Sequence, residues 1–111
     1  MDSDIDEVEL LIQGKFNNTI QEGIFKGMKY NVNSIWSSKY PKIIGSYEYE
    51  LVPIITSLLN NKYNTIINIG CAEGYYAVGF AVHNQKSNII AVDPLSISRD
   101  HLKELSIANN T

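Results

Sequence analysis

The chain has 111 residues, 44% hydrophobic, and a formal net charge of -3, which suits one small domain with a core and gives no strong nucleic-acid signal. It contains neither a run of about 18 apolar residues nor a basic leader before an apolar stretch, so we expect a cytoplasmic protein without a membrane span. Its single cysteine, Cys71, excludes an internal disulfide framework and a multi-cysteine zinc site.

Residues 1–62 are predicted to form a helical and irregular segment that precedes a sheet. Apolar residues at spacings of three and four predict a short amphipathic helix at the start of the chain, with Gly14 as its stop. From Gly14 to Gly45 turn-forming residues are frequent, and the helical spacing is lost. We expect loops there, with one or two short strands around residues 24–32.

Helical spacing returns after Gly45. Ser46 is a suitable N-cap, and apolar residues follow at helical intervals until two asparagines near residue 60. Pro53 removes a hydrogen bond if it lies inside a helix, so the helix either bends there or has its regular part begin there. Glu48 and Glu50 lie at the start of this helix. They could reach a ligand pocket, but carboxylates at a helix start are ordinarily solvated partners of the helix dipole, and we favour that interpretation.

Residues 63–111 carry the clearest pattern. "TIINI" and "NIIAV" are short apolar runs rich in β-branched residues, as expected for parallel strands that are covered on both faces. "GYYAVGFAVHN" between them predicts a buried helix that ends by Asn84, and Ser96 is the predicted cap of a further helix. Strand, helix, strand and helix in this order indicate an α/β fold with a parallel sheet.

The same order predicts where a ligand binds. In an open parallel sheet, ligands bind beyond the carboxyl ends of the strands. Gly70 to Gly74 follow the first strand and Asp93 follows the second. We expect the glycine turn to adopt positive φ and to expose backbone N–H groups to the ligand, and Asp93 to accept hydrogen bonds from two vicinal hydroxyls. These features indicate a ligand that contains ribose.

The spacing of the small residues distinguishes two kinds of ligand. The dinucleotide pattern G-x-G-x-x-G, placed from Gly70, requires glycine at positions 72 and 75, where the chain has Ala72 and Tyr75. A nucleotide-binding oxidoreductase half-domain that uses NAD is therefore the weaker alternative.

The residues "NIGCAEG" resemble motif I of class I S-adenosylmethionine-dependent methyltransferases, and "AVDP" resembles the acidic end of that family's second strand. The upstream "GIFKGMKY" is similar to the N-terminal part of FkbM-like methyltransferases. The resemblance covers about residues 63–110. It implies a Rossmann-like fold, S-adenosylmethionine as cofactor, and a methyl acceptor that the sequence does not identify.

The resemblance also implies a set of cofactor-binding residues. Gly70, Ala72 and Gly74 would form the turn against the methionine part, with Asp93 on the ribose. Asn68 stands where the family has Asp or Glu, so a charge near the cofactor's ammonium is missing, and Glu73 is a candidate to replace it. Ala72 is an acceptable replacement for glycine if its position does not need positive φ. The full candidate set is Asn68, Gly70, Cys71, Ala72, Glu73, Gly74 and Asp93.

Two expectations concern the whole chain. Since the family's sheet has more strands than the two predicted here, we expect an incomplete Rossmann-like fold without catalytic or acceptor-binding residues, which leaves a non-catalytic fragment as a further alternative. Open sheet edges favour self-association.

Cys71 has no histidine near it in sequence and is expected to pack or line the pocket. The two histidines show no metal-ligand spacing, so no metal site is predicted.

Overall fold

The computed structural model describes residues 3–35 and 37–111 and shows an α/β fold with a two-stranded parallel sheet. Its elements in chain order are α1 (Ser3–Phe16), α2 (Tyr40–Ile44), a 3-10 turn (Tyr49–Leu51), α3 (Val52–Asn61), β1 (Thr65–Ile69), α4 (Tyr75–His83), β2 (Asn88–Val92) and α5 (Ser96–Ala108). Strands β1 and β2 pair in parallel over five residues, from Thr65 with Asn88 to Ile69 with Val92.

The second half of the chain confirms the predicted order of strand, helix, strand and helix. Both apolar runs form strands, and α4 between them ends before Asn84. The predicted α/β class is therefore confirmed. The predicted N-cap of the last helix differs by one residue, because Leu95 is the N-cap of α5 and Ser96 is its first helical residue.

Helix α3, which precedes the sheet, has Pro53 in its first turn. Helix α3 begins at Val52 with Pro53 in its first turn, where the missing N–H has no helical partner in any case. The prediction that the regular part begins near Pro53 is confirmed. The prediction of Ser46 as its N-cap is wrong, because a turn and the 3-10 segment separate Ser46 from α3.

The N-terminal region differs from the expectation in two places. Helix α1 continues through Gly14 to Phe16, so Gly14 does not stop it. The strands expected around residues 24–32 do not form, and one antiparallel bridge, Thr19 with Lys29, stands there instead. The reason is a tight reversal between these two residues, in which Gly23 and Gly27 both have a φ of +90°. The short helix α2 was not predicted.

The hydrophobic core joins the N-terminal region to the sheet unit. Its buried members include Phe25 and Tyr30 from the first region and Tyr75 and Phe80 from α4. The ring centroids of Phe25 and Tyr75 are 5.1 Å apart in an edge-to-face arrangement, which aromatic pairs favour. The N-terminal region therefore packs against α4 through this shared aromatic core.

The sheet is covered on one face. Ile66 and Ile89 are half-buried and pack against the core, whereas the alternate residues of both strands are exposed. The prediction of strands covered on both faces is therefore wrong for the described chain. None of the helices in residues 3–35 and 37–111 combines the length and hydrophobicity that crossing a bilayer requires.

Candidate functional site

The turn after β1 adopts the left-handed backbone that its glycines allow. Gly70 has a φ of +74° and Gly74 a φ of +102°. A Cβ built on Gly74 would lie 2.5 Å from a methyl carbon of Leu102, so this glycine lets α4 pack closely against α5. A Cβ on Gly70 would meet no described atom within 4 Å. The backbone at Gly70 therefore borders open space, which a ligand can enter.

Ala72 also lies in the left-handed region, with a φ of +49°. Alanine was expected to replace glycine acceptably only if position 72 does not need positive φ, and this position does adopt it. A left-handed residue that has a Cβ costs roughly 1–2 kcal/mol. The surrounding hydrogen bonds hold this strained conformation in place.

The N–H groups of the turn are already bonded. Those of Gly70 and Cys71 donate to the carbonyl of Val92 at 2.8 and 3.0 Å, and that of Gly74 donates to the carbonyl of Cys71 at 3.0 Å. The N–H of Ala72 donates to Asp93 at 3.0 Å. The expectation that the turn exposes its N–H groups is therefore wrong for these four residues, because Val92, Asp93 and the carbonyl of Cys71 accept them.

Asp93 lies directly after β2 and links the two strand ends. One carboxylate oxygen accepts the N–H of Ala72 and the other accepts the N–H of Leu95, each at 3.0 Å. The bonds from Leu95 and Ala72 hold the pKa of Asp93 below its ordinary value. A carboxylate has about four acceptor positions, so both oxygens keep capacity for a hydroxyl donor.

A cavity of about 190 Å³ lies beside the turn. Asn68, Gly70 and Ala72 line it from the sheet unit, and Ser37 and Glu48 line it from the preceding region. This volume is below the range of about 300–1,000 Å³ that encloses a drug-sized ligand. It suits a small group or one end of a longer molecule.

Glu73 is enclosed and only 1% exposed. One carboxylate oxygen binds the Lys42 Nζ at 2.5 Å and also accepts a hydrogen bond from the Tyr30 hydroxyl. The other oxygen accepts the backbone N–H of Ile35 at 3.0 Å. Burial alone would raise the pKa of Glu73, but the bonds from Lys42 and Tyr30 outweigh it and hold this pKa below its usual value. The charge of Glu73 is therefore neutralised by Lys42 inside the protein, which leaves Glu73 poorly suited to bind the ammonium group of a ligand.

Lys42 is equally engaged. Besides Glu73, its ammonium donates to the hydroxyls of Ser37 at 2.6 Å and Ser34 at 3.2 Å. It also lies 4.6 Å from the centroid of the Tyr47 ring, within the distance of a cation–π contact. The three protons of Lys42 thus have partners, and the ion pair ties α2 to the turn between β1 and α4.

The other candidates on the turn occupy the cavity wall. Cys71 is buried, lines the cavity, and has its thiol pKa raised by burial and by Asp93, which does not favour a reactive thiolate. Tyr75 and Tyr76, the first residues of α4, also line the cavity. Tyr75 is buried in the core, and the hydroxyl of Tyr76 donates to a carboxylate oxygen of Glu48 at 2.7 Å.

Glu48 and Asn68 both line this cavity, although twenty positions separate them. Glu48 has a φ of +47°, unusual for a side chain of this size. Asn68 is half-buried at the fourth position of β1. Asn68 lines the cavity, and its side-chain amide can both donate and accept hydrogen bonds.

The structure thus brings together the sequence candidates in two groups. Asn68, Gly70, Cys71 and Ala72 border the cavity, and Asp93 adjoins it through its bond to Ala72. Glu73 also lines the cavity but is paired with Lys42 of α2, and Gly74 packs against α5. Lys42 and Tyr30 were missed by sequence reasoning, because nothing in "PKIIG" marks its lysine as buried.

Comparisons with protein-family models, with curated proteins and with solved structures return no significant match to this chain. Within the described residues, no group of three or more His, Cys, Asp or Glu side chains is arranged to hold a metal ion. The candidate site is therefore defined by its own geometry.

Proposed function

We propose that this chain binds S-adenosylmethionine at the turn between β1 and α4 and belongs to an S-adenosylmethionine-dependent methyltransferase. The observation that carries the proposal is the junction of Gly70, Ala72 and Asp93 at the carboxyl ends of two parallel strands, beside a cavity. In such a protein the cofactor supplies a sulfonium methyl group that an acceptor atom displaces, and the chain contributes binding and orientation.

The available groups fit this cofactor in their order along the site. Asp93 has spare acceptor positions for the two ribose hydroxyls. The open side of Gly70 allows close approach of a ligand chain, and the small cavity beyond it suits the methionine end. Asn68 presents an amide oxygen that can accept a hydrogen bond from an ammonium group.

The same groups fit a dinucleotide less well. A pyrophosphate needs several free backbone N–H groups at the start of a helix. Here the N–H groups of residues 70, 71, 72 and 74 bond to Val92, Asp93 and Cys71. This arrangement favours a cofactor without phosphate over NAD.

The test is isothermal titration of the purified chain with S-adenosylhomocysteine, S-adenosylmethionine and NAD. We expect binding of the first two and none of NAD. Asp93→Asn keeps the side-chain shape but removes its charge, and we expect it to weaken binding about tenfold or more, because hydrogen bonds to charged acceptors are the stronger ones.

Asp100→Asn is the matched control, since Asp100 is an exposed acid on α5. It should leave the affinity unchanged. A folded sample that binds neither S-adenosyl compound would contradict the proposal, and binding of NAD alone would replace it with the dinucleotide alternative.

A further inference from the structure

We infer that Glu48 supplies the negative charge for the cofactor's ammonium group, in place of an acid at position 68. This inference rests on the proposed function, because it assigns a residue to one end of the same ligand. It concerns a carboxylate that reaches the site from the chain ahead of α3 and not from the sheet.

The first support is that Glu48 lines the same cavity as the end of β1. Both Glu48 and Asn68 line the same cavity of about 190 Å³ as Gly70. The amide of Asn68 can accept a hydrogen bond but carries no charge. Glu48 therefore adds an anionic group to the cavity that Asn68 lines with a neutral one.

The second support is the charge of the cavity wall. The wall contains two carboxylates, Glu48 and Glu73, and one ammonium, Lys42. Lys42 lies 2.5 Å from Glu73, which neutralises that pair. The charge of Glu48 remains, so the wall is anionic and favours a cationic group over a carboxylate or phosphate.

The third support is the way the side chain is held. Glu48 has a φ of +47°, and strained residues of this kind persist where their surroundings fix them, often at ligand sites. The hydroxyl of Tyr76 donates to one of its oxygens at 2.7 Å. Tyr76 belongs to α4, so the helix that follows the glycine turn also orients this carboxylate.

The experiment compares two ligands that differ at the methionine end. S-adenosylhomocysteine carries the ammonium group, and 5′-methylthioadenosine lacks the whole amino-acid portion. We expect Glu48→Gln to weaken S-adenosylhomocysteine about tenfold or more and to change the affinity for 5′-methylthioadenosine by less than about twofold. Asn68→Asp in the Glu48→Gln background should recover most of the lost affinity.

Two further variants keep the test decisive. Glu50→Gln is the matched control, because Glu50 is an exposed acid two residues from Glu48. This variant should bind both ligands as the unaltered chain does. Glu48→Asn removes the charge with a residue that tolerates positive φ, and it replaces Glu48→Gln if that variant fails to fold.

The outcomes separate this inference from the proposed function. Equal affinity of Glu48→Gln and the unaltered chain for S-adenosylhomocysteine would overturn the role of Glu48 and leave the cofactor assignment intact. An equal loss for both ligands would also overturn it, because the residue would then act on the fold alone. If the unaltered chain bound neither ligand, the proposed function itself would fall.

Discussion

The buried pair of Lys42 and Glu73 is the residue-scale feature on which the candidate site depends. Their side chains are 3% and 1% exposed. Taking two charges out of water is costly, and removal of one partner leaves the other uncompensated at a cost of about 3–5 kcal/mol. The pair connects α2 to the glycine turn, so its loss should loosen the cavity wall as well as the fold.

Glu73→Gln tests this feature through pH. The pKa of Glu73 lies below its ordinary value of 4.5 in the folded chain, so the unfolded chain binds the proton more readily. The stabilisation is therefore complete above about pH 4.5 and is lost as the pH falls through the folded-state pKa. We expect Glu73→Gln to lower the free energy of unfolding by about 3 kcal/mol at neutral pH, and by less in acid.

Urea unfolding of both proteins between about pH 7 and pH 3 measures this difference. Glu50→Gln, which removes an exposed acid, should show no such convergence. A difference between Glu73→Gln and the unaltered chain that stays constant with pH would contradict the ion pair. Tyr30→Phe removes one hydrogen bond from Glu73 and gives a milder variant should Glu73→Gln not fold.

Sequence patterns located the residues of the turn but not their conformations or partners. Gly70 and Asp93 were found because they follow two apolar runs, which is a local signal. Lys42 and Glu73 lie 31 positions apart, and their pairing depends on tertiary packing that no local pattern encodes. The left-handed backbone of Ala72 likewise follows from its bond to Asp93 and not from its own preference.

At the scale of elements, the contact between α4 and the N-terminal reversal determines how the two halves of the chain fit. Gly79 lies inside α4, and a Cβ built there would approach the ring of Phe25 to 2.5 Å. Phe25 is buried and surrounded by the rings of Tyr75 and Phe80. The absence of a side chain at residue 79 is what lets this ring lie against the helix.

Gly79→Ala should therefore have two opposite effects on the free energy of unfolding, one through helix propensity and one through packing. Alanine favours the helix by about 1 kcal/mol, but overpacking a core costs about 1–3 kcal/mol. We expect a net decrease of roughly 1 kcal/mol in the free energy of unfolding, measured by urea denaturation, because the Phe25 ring has little room to move.

Gly14→Ala is the matched control for this substitution. Gly14 lies in α1, and a Cβ there would meet no described atom within 4 Å, so we expect a gain of up to about 1 kcal/mol. The loss at Gly79 should shrink when Phe25 is replaced by leucine. Equal stabilisation by Gly79→Ala and Gly14→Ala would show that the Phe25 ring leaves room for a Cβ at residue 79.

The elements themselves were predicted to different degrees for a physical reason. Strands β1 and β2 and helices α4 and α5 are bounded by glycine, asparagine or Asp93-Pro94 and have clear apolar patterns. Helix α2 has five residues, too few for a 3.6-residue period to appear. Around residues 24–32 the chain has poor periodicity and frequent turn formers, so no local pattern distinguishes the short strands that were expected from the single bridge of Thr19 with Lys29.

At the scale of the whole molecule, the uncovered face of the sheet is the dominant surface feature. Ile67 pairs with Ile90 and Ile69 pairs with Val92 across the two strands, and these four side chains are all exposed. They form one continuous aliphatic patch that ends at two unpaired strand edges in the described sheet. Patches and edges of this kind promote association between chains.

We therefore expect the purified chain to self-associate through this face, since two copies that stack their aliphatic patches remove both from water. Sedimentation velocity over a range of protein concentrations measures the effect. Ile69→Lys places a charge on the most exposed side chain of the patch, which is 81% exposed. It should shift the chain toward monomer with little change in stability.

Ile107→Lys is the matched control, because Ile107 is 76% exposed and lies on α5 instead of the sheet. This variant should associate as the unaltered chain does. Equal effects of the two lysines would mean that overall charge, and not the sheet face, governs association. A chain that stays monomeric at all concentrations would show that four aliphatic side chains on two strands do not suffice to hold two copies together.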